Sequence, residues 1–167
     1  ARCLYIAGSV FKQNEYIVLG REIFQNEYSN VFIDGVNQEG SSHYQMLLTK
    51  NIIELLLFAE EYDDSHFVGK LKSMLGKMIS VCHDLSSFSK YSKYPLFGDI
   101  SPDMNPAWFC GWPFSSTTEK YSDWYRLFHY YPRKIIESKI DMGTKNNISA
   151  NSNVGWIYLR NGDTEAW

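Results

Sequence analysis

Apolar residues recur at helical spacing through the first half of the chain. The plainest run is Phe67, Leu71, Met74, Leu75, Met78, Ile79 and Cys82, a stripe of helical period that predicts an amphipathic helix. Upstream, Leu47 to Phe58 is apolar on most sides, which predicts a helix buried on more than one face. Its start is marked by Ser42-His43-Tyr44-Gln45, read as a capping box with Ser42 as N-cap and Gln45 reaching back from N3. It runs to about Glu61. Two earlier helices are expected. Residues 3–11 carry Cys3, Leu4, Tyr5, Ile6, Ala7, Val10 and Phe11 and read as the end of a buried helix, and residues 15–29 set Tyr16, Leu19, Ile23 and Phe24 on one stripe. A polar, glycine-containing segment, Asn30 to Gly40, separates the second helix from the third. Short links between helices favour antiparallel hairpins. The expectation is therefore four to six helices over residues 2–131, with Leu47, Leu55, Phe67, Leu71, Leu75 and Met78 buried.

The pattern changes after Ser86. Residues 87–116 are rich in Ser, Pro, Gly and aromatic residues, a composition that suits a long functional loop. A short helix is expected from Thr118 to Tyr130, and the polar stretch 133–153 reads as a linker. From Val154 to Arg160 β-formers occupy both parities, and Asn161-Gly162 signals a hairpin turn, with Thr164 to Trp167 returning. An isolated hairpin is marginal in water. The expectation is that this one opens a larger sheet and that the chain is an interior piece of a longer protein. The fold class is mainly α: a helical domain over 1–132, a linker over 133–153, and the first β-hairpin of a second domain over 154–167.

Composition narrows the function classes. With 167 residues the chain can bury one real core. Sixteen Lys and Arg stand against nineteen Asp and Glu, and no basic run exceeds two residues, so a nucleic-acid footprint is not expected. Aromatic residues make up 16 % of the chain. Most would fill the core, and some would suit a groove in which sugar rings stack. Cys3, Cys82 and Cys110 are far apart and show no metal-ligand spacing. The longest apolar run, Leu55 to Ala59, is far short of a membrane span. The opening residues lack a signal-peptide pattern. His66, His83 and His129 have no partner at an informative spacing and are read as structural.

Three segments carry a resemblance. Asp34-Gly35-Val36-Asn37-Gln38-Glu39-Gly40-Ser41-Ser42-His43-Tyr44 is similar to the D-G-x-x-x-E-x-S-x-x-Y segment of heparinase II/III-like polysaccharide lyases. Pro95-Leu96-Phe97-Gly98-Asp99 resembles the P-x-x-G-D loop of that family, and Gly155 to Asp163 looks like the hairpin that opens its C-terminal β-sandwich. The three occur in family order and together span residues 34–163. The resemblance implies the closing hairpins of an incomplete α/α toroid followed by the start of a truncated β-sandwich.

It also implies a chemistry. The family cleaves uronic-acid glycosidic bonds by β-elimination, which needs charge stabilisation at the uronate carboxylate, a base for the C5 proton and an acid for the leaving O4. Tyr44 is then the catalytic tyrosine, acid and in some members also base. Its position at the start of a helix favours a phenolate by only ~0.3–1 kcal/mol, so a further partner is needed. The competing reading is a core tyrosine that begins a buried helix. Glu39, His43 and Asp99 are the supporting or substrate-binding candidates. Glu39 orients a catalytic side chain, binds a sugar hydroxyl or bonds loop N–H groups, Asp99 either positions cleft residues or forms an Asx-turn, and His43 lies roughly 100° from Tyr44 around the helix. The expected partner is an acidic polysaccharide, with no nucleic acid or membrane, and no metal or cofactor is expected within this stretch of chain. The resemblance implies the periplasm. The carboxylate-neutralising residue and the sandwich histidine are expected outside this chain, which alone would be nearly inert. Two alternatives stand beside this reading: a non-catalytic helical carbohydrate-binding or scaffold module, and a lyase-like protein of a surface-polysaccharide cluster with another activity.

Overall fold

The computed structural model describes residues 1–87, 97–100, 148–151, 156–161 and 164–166. These residues are mainly helical. Helices α1 (Arg2–Phe11) and α2 (Asn14–Val31) lead into two short strands, β1 (Phe32–Ile33) and β2 (Val36–Asn37). Helices α3 (Ser42–Glu61) and α4 (Ser65–Ser87) follow, and strands β3 (Ile148–Asn151), β4 (Trp156–Asn161) and β5 (Thr164–Ala166) form a separate antiparallel sheet.

The helices form two hairpins. A Cβ on Gly8 would meet Ile17 and one on Gly20 would meet Tyr5, so α1 and α2 run antiparallel. Lys72 pairs with Glu60, and Cys82 lies beside Thr49, so α3 and α4 do the same. Arg2 reaches from α1 to Asn51 and Glu54 on α3, joining one hairpin to the next.

Leu55, Phe67, Leu71, Leu75 and Met78 are buried as the spacing predicts, together with Ile52, Ile53, Leu56 and Ile79. Each such side chain contributes about 1.5–3 kcal/mol by leaving water. Helix α3 is buried on several faces because α1 and α4 both pack on it. Leu47 does not belong to this core; it is only half-buried.

The first hairpin departs from the expected faces. In α2 the core side is Ile17, Phe24, Tyr28 and Val31, whereas Tyr16 and Leu19 are 49 % and 44 % exposed. In α1 the buried residues are Tyr5, Gly8 and Ser9, while Cys3, Val10 and Phe11 are exposed. Glycine is the cause. A Cβ at Gly8 would lie 2.7 Å from the Ile17 nitrogen, and one at Gly20 would lie 2.7 Å from the Tyr5 nitrogen. The two backbones meet where large side chains are absent, so a stripe of large apolar residues points to the wrong face.

Asp64 ties the hairpins together. Its Oδ1 accepts the Phe67 N–H and its Oδ2 accepts the Tyr5 hydroxyl at 3.0 Å. Arg21 Nε approaches the same oxygen at 3.1 Å as an ion pair without hydrogen-bond alignment. Burial, then the Asp64 contact, pushes the Tyr5 hydroxyl well above the ordinary tyrosine range. Burial, then the charge of Asp34, pushes Tyr28 up to about 12.

The segment between the hairpins is more ordered than its polarity suggests. Phe32 pairs with Asn37 and Ile33 with Val36. Asp34 and Gly35 link them with φ of 50° and 87°, the geometry of a two-residue type I′ turn. In the tail, β4 pairs with β5 through Asn161 and Thr164. The expected turn at Asn161-Gly162 falls at the end of β4, and its second residue lies outside the described residues. Strand β3 pairs with β4 from Ile148–Leu159 to Asn151–Trp156 and falls within the stretch read as a linker. The helix expected at Thr118–Tyr130, most of the aromatic stretch 87–116, and the faces of the tail hairpin lie outside the described residues.

Candidate functional site

The first turn of α3 is where the candidate residues collect. Its N-cap is Ser41, not Ser42: Ser41 is extended, with φ −101° and ψ 123°, and its hydroxyl accepts the Tyr44 N–H at 3.1 Å. Tyr44 is therefore at N3 rather than N2. Gln45 does not reach back to close a capping box. Its Oε1 accepts the Asn37 N–H at 2.7 Å and its Nε2 donates to the Gly35 carbonyl at 2.8 Å, both in buried surroundings. The strand hairpin would otherwise bury those two backbone groups unpaired, a cost of about 1–3 kcal/mol each. That demand outweighs a solvent-side cap.

A second loop is clasped onto this helix start. Ser42 N–H donates to the Phe97 carbonyl, and the Ser42 hydroxyl accepts the Phe97 N–H at 3.0 Å. The Ser41 hydroxyl donates to the Asp99 carbonyl at 2.5 Å. Between these contacts Gly98 has φ 77°, and a Cβ there would lie 2.6 Å from the Gly40 oxygen and 2.8 Å from the Ser41 Cα. Only glycine lets the loop come this close without strain.

The clasp brings Asp99 to Tyr44, whose hydroxyl donates to Asp99 Oδ2 at 3.0 Å. Ser41 links both ends of this contact, since its hydroxyl accepts from the Tyr44 backbone and donates to the Asp99 backbone. The result is a half-buried phenol with its proton directed at an exposed carboxylate. The carboxylate fixes the direction of the phenolic O–H and stabilises its protonated form.

His43 is only 3 % exposed, and its ring meets that of Tyr44 edge to face with centroids 5.6 Å apart. It supports the Tyr44 ring from the protein side. Glu39 is exposed, its N–H donates to Asn37 Oδ1, and no hydrogen bond joins its side chain to Tyr44 among the described residues. Of the four sequence candidates, the structure thus joins Tyr44, Asp99 and His43 and leaves Glu39 on the exposed loop between β2 and α3.

Two participants were missed. Ser41 sits three residues before Tyr44, and the cap pattern could have been read from it as well as from Ser42. Asn37 is fully buried, with Nδ2 unpartnered, and nothing in the sequence singles it out. Among the described residues no group of three His, Cys, Asp or Glu side chains is arranged to hold a metal ion. No described helix is long and apolar enough to cross a membrane. Comparison with protein-family models, with curated proteins and with solved structures found no match.

Proposed function

We propose that this chain is part of a polysaccharide lyase that cleaves uronic-acid-containing glycans by β-elimination, with Tyr44 as its catalytic acid and base. The observation that carries the reading is the Tyr44 hydroxyl held on the Asp99 carboxylate at the start of α3. In the reaction a base removes the C5 proton of the uronate and the C4–C5 double bond forms. The C4–O4 bond breaks and O4 takes a proton from the Tyr44 hydroxyl; the phenolate so formed is reprotonated as the C5 proton leaves the base, by direct transfer or through water, which restores both groups. Asp99 orients that hydroxyl, His43 braces the ring, and Glu39 lies on the rim that meets sugar hydroxyls. In this reading the α1–α2 and α3–α4 hairpins are successive hairpins of an incomplete α/α toroid, and β3–β5 begin a β-sandwich. The groups that neutralise the uronate carboxylate come from elsewhere in a longer protein, so the activity belongs to that protein.

The test is the absorbance of unsaturated uronate when the full-length protein meets glycosaminoglycans and alginate. Tyr44→Phe keeps the ring and removes the hydroxyl; turnover should fall by roughly 10²-fold or more, the scale of general acid–base help, with little change in binding. Unchanged kcat in that variant refutes the catalytic role. Tight glycan binding with no unsaturated product in the wild type favours the carbohydrate-binding module instead.

A further inference from the structure

We propose that Asp99 sets the charge of the departing sugar, so that the substrate is a polymer in which the uronate is preceded by an uncharged sugar rather than a sulfated or uronic one. The inference rests on the reading of Tyr44 as the group that protonates O4. O4 bridges the uronate and the departing sugar, so a donor that reaches it lies against that sugar. Asp99 Oδ2 is 3.0 Å from the donor hydroxyl, and Asp99 is exposed. Its carboxylate forms no ion pair among the described residues. Glu39, exposed on the loop before Ser41, adds a second negative charge near the same helix start. An anionic group on the departing sugar would therefore be brought close to a carboxylate that is tethered in place. Ser41 holds its backbone and Tyr44 its side chain. Like charges set together at close range discriminate strongly against the wrong partner. Hydroxyl and acetamido groups, by contrast, can donate hydrogen bonds to a carboxylate, a charge-assisted and therefore stronger contact. The uronate carboxylate itself must then lie on the side of Tyr44 away from Asp99.

The experiment compares kcat/KM of the full-length protein on hyaluronan and unsulfated chondroitin, where the departing sugar is uncharged, with sulfated chondroitin and alginate, where it is anionic. The expected preference for the uncharged group is about tenfold or more, the size that one close like-charge contact supports near a protein surface. It should shrink as salt is raised. Asp99→Asn keeps an oxygen that accepts the Tyr44 hydroxyl and removes the charge, so the preference should fall to within about twofold of unity even if every rate drops. A wild type that favours sulfated chondroitin or alginate overturns the proposal and leaves the lyase reading intact. So does a preference that survives Asp99→Asn unchanged. Absence of unsaturated product from these four polymers and from heparin and heparan sulfate removes the lyase reading and this inference with it.

Discussion

Replacing Gly98 by alanine puts the clasp itself under load. The backbone there has φ 77°, where a side chain costs about 1–2 kcal/mol. The new methyl would also lie 2.6 Å from the Gly40 oxygen and 2.8 Å from the Ser41 Cα, both backbone atoms that cannot rotate away. Opposing that strain are the bonds of Ser41 to Asp99, of Ser42 to Phe97, and of Tyr44 to Asp99. At about 0.5–1.5 kcal/mol each, and with Phe97 also packed on Met46, Cys82 and Leu85, these hold the loop with a few kcal/mol. Overlap with fixed backbone exceeds that, so the loop should let go before the helix shifts. The loss of stability then levels off at about 3 kcal/mol, because a detached loop transmits no further strain. Urea unfolding gives the global value. Amide exchange at Ser42 and Phe97, whose N–H groups bond across the clasp, should accelerate by roughly tenfold or more as local opening becomes easy. Gly69→Ala is the matched control. Gly69 lies exposed in α4 with open space around its Cα, so alanine there should gain about 0.5–1 kcal/mol. If Gly98→Ala is as stable as the wild type, with Ser42 and Phe97 exchange unchanged, the account of the clasp is wrong.

Other positions give independent checks. Gln45→Ala strands the buried Asn37 N–H and Gly35 carbonyl, and should cost about 2–4 kcal/mol in thermal or urea unfolding. Leu71→Ala, fully buried, should cost about 2–5 kcal/mol, whereas Leu19→Ser, 44 % exposed, should cost less than about 1 kcal/mol; a reversal would restore the face of α2 read from periodicity. Tyr5 and Tyr28 both hold their protons more tightly when folded, so above pH 10 the unfolded chain loses protons that the folded one keeps. Stability should be insensitive to these two groups below pH 10, then fall as pH rises, through about 12 for Tyr28. Tyr28→Phe should make the alkaline loss, followed by circular dichroism, shallower.

The helices were legible from the sequence because burial repeats with the helix period. Phe67, Leu71, Leu75 and Met78 announce α4 and its inner face, and the all-round apolar character of Leu47 to Phe58 announces a helix packed from several sides. Tyr44 and Asp99 became candidates through the resemblance of their segments to a lyase family, not through local chemistry. What periodicity could not decide was any contact made by groups that carry no hydrophobic signal. The α1–α2 interface is built on Gly8 and Gly20, so the larger residues Tyr16 and Leu19 were assigned inward and lie outward. The Asp34-Gly35 turn was legible in principle, since the same dipeptide logic located the tail hairpin. The choice between Ser41 and Ser42 as cap was not, because both can accept the bond. Their second partners, Asp99 and Phe97, lie more than fifty residues away. The same separation hides the pairing of Tyr44 with Asp99. A hydrogen bond between a helix start and a distant loop leaves no period in the chain, and only the tertiary approach permitted by Gly98 brings its two ends together.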